Sequence, residues 1–158
     1  MMNKRFNPKA GQIFYFVPWS LSPSAIQYDE QNAMSVMLVN LLNCYETEEE
    51  AQFVAEQIRV RIDLQRLAYE ANEAEFGPTG DDPTVWDTIN SHYYIYWDCE
   101  NECLDVLFEW DQRADLIYFP SAEAAQDAIK QLGAERIARY LFDIDPAQLE
   151  DKDGGADA

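Results

Sequence analysis

Two stretches of the chain share one pattern, and that pattern constrains the fold more than any other feature. YETEEEAQFVAEQI, residues 45–58, aligns without gaps to FPSAEAAQDAIKQL, residues 119–132. An aromatic comes first, then a hydroxyl residue, a Glu, an Ala-Gln pair and a closing Gln-Ile or Gln-Leu. The aromatic suits the end of a buried strand, and Thr47 or Ser121 supplies the side-chain oxygen of a helix N-cap. Behind the cap, Ala51 and Ala55 in one copy and Ala125 and Ala128 in the other give the helix a small face for a sheet. In the first copy Glu50 stands three residues after Thr47, the spacing of a capping box, and carboxylates in that turn suit the helix dipole. Ala124 replaces the Glu in the second copy, so only the simple cap remains.

An aromatic run precedes each copy, at Ile13–Val17 and at Tyr93–Trp97. Each half therefore reads as a β-meander followed by a helix, an α+β class with antiparallel sheet. In the second half Cys103–Trp110 alternates, and Leu116–Phe119 completes the meander. In the first half the middle strand is lost in Pro18–Glu30, and Met34–Leu42, apolar throughout, fits strand or helix. The first half covers 1–75, with a long helix at about 48–75. That helix is apolar on two faces (Ile58 and Ile62; Leu64 and Leu67), which fits packing against both halves or against another subunit. Gly77-Pro78, Gly80 and Asp82-Pro83 mark a linker over 76–91. The second half covers 92–145, where Gly133 ends one helix and Ala134–Phe142 forms a short last one. Residues 146–158 read as an acidic flexible tail.

Thirty acids against eleven bases give a formal net charge of −19. The acids are localised. Leu67–Gln112 holds twelve carboxylates and no Lys or Arg, and Gly11–Ile58 holds seven more, again without a base. Such a field repels nucleic acid and anionic membranes and attracts basic protein surfaces; it equally serves solubility. With 47% hydrophobic residues and 13% aromatics, the chain has the means to build a core despite this charge. Three cysteines (Cys44, Cys99, Cys103), with no apolar region after the basic Met1–Phe6, indicate reduced thiols and a cytoplasmic protein.

The elements so far resemble a family of small proteins encoded by phages and prophages of Gram-positive bacteria. The resemblance rests on Asn7–Gly11 before an aromatic strand, Asn43–Ala51 opening the first helix, Tyr93–Asp98, and Ile117–Ala125 running into Gly133–Ile137 and Tyr140–Phe142. It implies an accessory gene on a mobile element, a setting in which inhibitors of host defence and acidic mimics of nucleic acid occur. It brings no catalytic residues. The chain departs from the family pattern around Pro18–Asn40.

A hairpin turning at Glu100-Asn101 sets Tyr96 opposite Asp105, Tyr94 opposite Leu107 and His92 opposite Glu109. One face then carries His92, Tyr94, Tyr96, Asp98, Asp105 and Glu109. The other, with Tyr93, Ile95, Trp97, Leu104, Val106, Phe108 and Trp110, is the expected core. Tyr94, Tyr96, Asp98, Glu100, Glu102, Asp105, Glu109 and Asp111 are the candidate binding surface, offering charge and flat apolar contact to a basic partner. The same residues fit an ordinary solvated sheet face. No nucleophile stands at a motif spacing from His92, Cys99 and Cys103 fall on opposite faces, and no phosphate or calcium loop is present. The expectation is a non-enzymatic protein without metal or cofactor. It binds a basic or nucleic-acid-binding protein, neither nucleic acid nor membrane, and acts as an inhibitor of a host defence nuclease of the anti-CRISPR or anti-restriction type. The alternative is a structural or assembly module, with a homodimer formed through the long helix.

Overall fold

Phe14 and Phe16 alternate with more exposed neighbours along β1 (Ile13–Phe16), the period of a half-buried strand. In the computed structural model, which describes residues 6–77, 91–113 and 115–145, β1 pairs antiparallel with β2 (Ser24–Gln27), from Ile13↔Gln27 to Phe16↔Ser24. β2 lies in the stretch where the sequence shows no strand. Three of its four side chains are exposed, leaving no alternation to read. The ambiguous apolar segment is a helix, α1 (Ala33–Asn40). Its N-cap explains the choice: Asn32 Oδ1 accepts from the backbone N–H groups of Met34 and Ser35. Ser35 is fully buried and its hydroxyl donates to the Asp29 carbonyl at 2.7 Å. Leu38, Val39 and Cys44 complete a core around Phe14 and Phe16.

Beyond β1 the sheet pairing is continued piecemeal. Tyr15 and Tyr45 exchange both backbone hydrogen bonds, at 3.0 and 2.8 Å. The Asn43 amide accepts from the Val17 N–H at 2.9 Å and donates to the Val17 carbonyl at 2.7 Å. A side chain thus takes the place of a strand residue just before Pro18, which has no N–H to extend a ladder. Thr47 Oγ1 accepts from Glu50 N–H at 3.2 Å, while Glu50 accepts from Glu46 N–H at 3.0 Å. The reciprocal bond of the capping box therefore closes one residue upstream of its usual place. This cap opens α2 (Glu48–Phe76), against an expected span of about 48–75. Ala51 and Ala55, both fully buried, pack with Val17.

In the second half β3 (His92–Asp98) pairs antiparallel with β4 (Cys103–Glu109), from His92↔Glu109 to Asp98↔Cys103. Tyr93 and Phe119 exchange backbone hydrogen bonds at 3.0 and 2.7 Å. Ser121 Oγ accepts from Ala124 N–H at 3.1 Å and opens α3 (Ala122–Leu132), which Gly133, at φ +87°, separates from α4 (Ala134–Phe142). Val60, Leu64, Leu67 and Ala68 of α2 pack with Ile95, Phe119, Ala125, Ala128, Ile129 and Ile137.

Four helices and two antiparallel two-stranded sheets among the described residues make an α+β fold. The order hairpin, bridge, hydroxyl cap, helix occurs in both halves, with α1 inserted before the bridge of the first. The third strand of each meander is a single bridged pair, because the cap two residues on turns the chain into helix and Pro120 offers no N–H. Packing divides the chain into units of residues 1–59 and 60–158. The division falls inside α2 rather than at a linker after residue 75, since α2 from Val60 onward belongs to the second core. Of the two apolar faces of α2, the one with Leu64 and Leu67 is buried, while Ile58 and Ile62 are exposed. Most of the expected linker (78–90) and the whole expected tail (146–158) lie outside the described residues.

Candidate interaction surface on the second hairpin

The register of β3 and β4 sets Tyr96 opposite Asp105, Tyr94 opposite Leu107 and His92 opposite Glu109, as the alternation predicts. The turn is built by Asp98. Its Oδ1 accepts from the N–H groups of Glu100 (2.8 Å) and Asn101 (3.2 Å), and its Oδ2 accepts from Asn101 Nδ2 at 2.7 Å. This Asx-type closure orients the turn, so Asp98 is a structural carboxylate more than an open contact. Glu100 and Glu102 are exposed at the tip, with Glu102 in the left-handed region at φ 49°. Beside them Tyr96 donates to Asp105 Oδ2 at 3.3 Å. Partial desolvation, then the charges of Asp105 and Asp98, push the Tyr96 phenol above its ordinary value, because a phenolate there would face two carboxylates.

The far end of the same face is covered, contrary to the expectation of an open surface. Tyr118 stands edge-on to both His92 and Tyr94, with centroids 6.1 Å apart in each case, and both residues are buried. The chain returning to bridge Tyr93 carries the cause. Phe119 fills the core, so Tyr118, next to it in an extended segment, points to the opposite face. Tyr94 donates to Glu109 Oε1 at 3.4 Å, and burial, then Glu109, raise its pKa. Arg113, the first base after the acidic stretch, donates its backbone N–H to Tyr118 Oη at 3.0 Å and pairs with Asp115 at 3.2 Å. The guanidinium bond lowers the Asp115 pKa. Asp111, just past β4, is exposed. The candidate carboxylates thus separate into a turn-end group (Asp98, Glu100, Glu102, Asp105) and a far group (Glu109, Asp111) that Arg113 partly offsets.

The expected core face also divides. Ile95 is buried and Leu104 and Val106 are half-buried against the second core. Phe108 and Trp110 are not covered: they are 50% and 57% exposed and stacked edge-to-face at 6.0 Å. The side taken by Tyr118 was legible from its alternation with Phe119. The uncovering of Phe108 and Trp110 was not, because alternation assigns a face without saying what covers it.

Cys99 and Cys103 are exposed thiols and Cys44 is buried. No group of three or more His, Cys, Asp or Glu among the described residues could hold a metal ion. No helix among them is long and apolar enough to cross a membrane. No family model, curated protein or solved structure matches the chain. The hairpin offers carboxylates and a phenol at the turn and two uncovered aromatic rings at the other end.

Proposed function

We propose that the protein acts by binding another protein through the β3–β4 hairpin. The observation that carries this reading is the uncovered Phe108–Trp110 pair on the hairpin that also bears Glu100, Glu102, Asp105 and Asp111. Solubility accounts for exposed carboxylates; it does not account for two large exposed rings on the same hairpin. Aromatic anchors on an acidic hairpin suit a basic protein surface, the rings supplying burial at one end and the charges at the turn steering approach. A nucleic-acid-binding protein has such a surface. With the resemblance to phage and prophage proteins, the reading extends to an accessory protein of a mobile element, working in the cytoplasm of a bacterial host. It would occupy the nucleic-acid site of a defence nuclease of the CRISPR or restriction type. No catalytic step is assigned to it.

The test is capture from host lysate at low salt with the full chain as bait. A basic nucleic-acid-binding protein should be retained, released by added salt, and lost with Trp110→Ala or with Glu100→Lys combined with Glu102→Lys. Recovery of no such protein, or recovery indifferent to both variants, refutes the reading.

A further inference from the structure

Ile62, Tyr69 and Phe76 recur every seven residues along α2, and they are 50%, 45% and 43% exposed. Seven residues are close to two helical turns, so the three side chains stand in one row. The charge beside this row changes sign along it. Arg61 and Arg66 flank its N-terminal part, with Asp63 beside them paired to Arg136 at 3.3 Å, whereas Glu70, Glu73 and Glu75 flank its C-terminal part. Arg66 reaches Glu70 at 3.0 Å, while Glu73 and Glu75 form no ion pair among the described residues. Val60, Leu64 and Leu67, elsewhere on the same helix, are committed to the core. The row is thus a second apolar stripe on a helix that has already spent one.

We propose that two copies of this chain pair through that stripe, α2 against α2 and antiparallel. Crossing at Tyr69 lays Ile62 against Phe76 of the partner subunit at both ends and brings the two Tyr69 rings together on the axis. The same arrangement sets Arg61 and Arg66 of each copy beside the Glu73 and Glu75 end of the other, and the helix dipoles oppose. A parallel pairing would set Arg on Arg and Glu on Glu. The sign change therefore selects the second copy as occupant and fixes its direction, and the contact is isologous, as a two-fold dimer requires.

Residues 62–76 give a contact about 22 Å long at 1.5 Å per residue. A single helix pair of that length sits at the small end of specific interfaces, below about 1,200 Å² in total. The dimer is accordingly weak and reversible, with a Kd on the order of 10 μM. None of the residues of the acidic hairpin surface takes part, so the two proposals stand or fall separately. Salt acts on the pairing in two opposed ways, screening both the repulsion of two chains of net charge −19 and the local attraction. Charge reversal is the cleaner probe.

Sedimentation equilibrium of the full chain from about 1 to 500 μM, a range bracketing that Kd, should show mass rising from monomer to dimer. Tyr69→Glu, at an exposed site, should remain monomeric with an unchanged circular-dichroism spectrum. Arg66→Glu and Glu73→Arg should each weaken dimerisation about tenfold or more, since each sets like charges together at both ends. The double variant should return to within about threefold of the wild type. The proposal is overturned by a wild-type chain monomeric throughout, by a dimer that survives Tyr69→Glu, or by a double variant no tighter than the singles.

Discussion

Asn72 is a buried polar side chain whose replacement tests how α2 holds the hairpin surface. Its Nδ2 donates to the Ala68 carbonyl at 2.7 Å and to the Tyr118 carbonyl at 3.2 Å. The second bond fixes the segment whose ring covers His92 and Tyr94. Asn72→Asp keeps the shape and removes both donors, turning a carboxylate toward two carbonyl oxygens. Two lost hydrogen bonds cost about 1 kcal/mol each, and burying the unpaired charge brings the total at pH 7.5 to about 3–5 kcal/mol. The folded site favours the neutral acid, so the introduced carboxyl has a folded pKa above its unfolded value of about 3.9. Below that value the ionisation penalty is absent. It grows by about 1.4 kcal/mol per pH unit as pH rises toward the folded pKa, then levels off. Asn72→Leu, which loses the bonds without adding a charge, should cost about 1–3 kcal/mol relative to wild type and show no such slope. Urea unfolding followed at 222 nm, at about pH 4.5 and 7.5 on either side of that rise, separates the two variants. If the Asp and Leu variants track each other at both pH values, the inferred contact is refuted.

Two further outcomes follow from local geometry. Gly133 sits at φ 87° and ψ 126° with nothing within 4 Å of an added Cβ, so Gly133→Ala is opposed by backbone strain alone; it should cost about 1–3 kcal/mol and lower the thermal midpoint. Titration of the tyrosines at 295 nm should show phenols ionising above the usual range, and Asp105→Asn should move one of them back down, since Asp105 disfavours the Tyr96 phenolate; an unchanged titration curve would show that the Tyr96–Asp105 pair does not form.

Much of the fold was legible because it is governed by short-range chemistry. Glu100-Asn101 and the alternation around it fixed the β3–β4 register, and the hydroxyls of Thr47 and Ser121 marked two helix starts that the structure places within a residue. β2 was not legible, because a strand with three exposed side chains carries no period. The apolar run of α1 suits strand and helix alike, and it is the Asn32 cap that decides for helix. The binding surface was legible at the turn end and lost at the other, where Tyr118 arrives from a segment more than twenty residues distant in sequence from His92 and Tyr94. Patterning says which side chains share a face; what lies over the face is decided by parts of the chain that no local window contains.

The placement of the unit boundary inside α2 has a consequence for synthesis. Residues up to 59 can pack as soon as they have left the ribosome. The rest of α2 emerges with Val60, Leu64 and Leu67 uncovered, and their partners in β3, α3 and α4 are still to be translated. Asp63 must wait 73 residues for Arg136, roughly 4–15 s at bacterial elongation rates of about 5–20 residues per second. For that interval the nascent chain carries a finished unit joined to an apolar helical segment in search of its core. It is then that a chaperone, or a neighbouring nascent copy, has its best access to the helix.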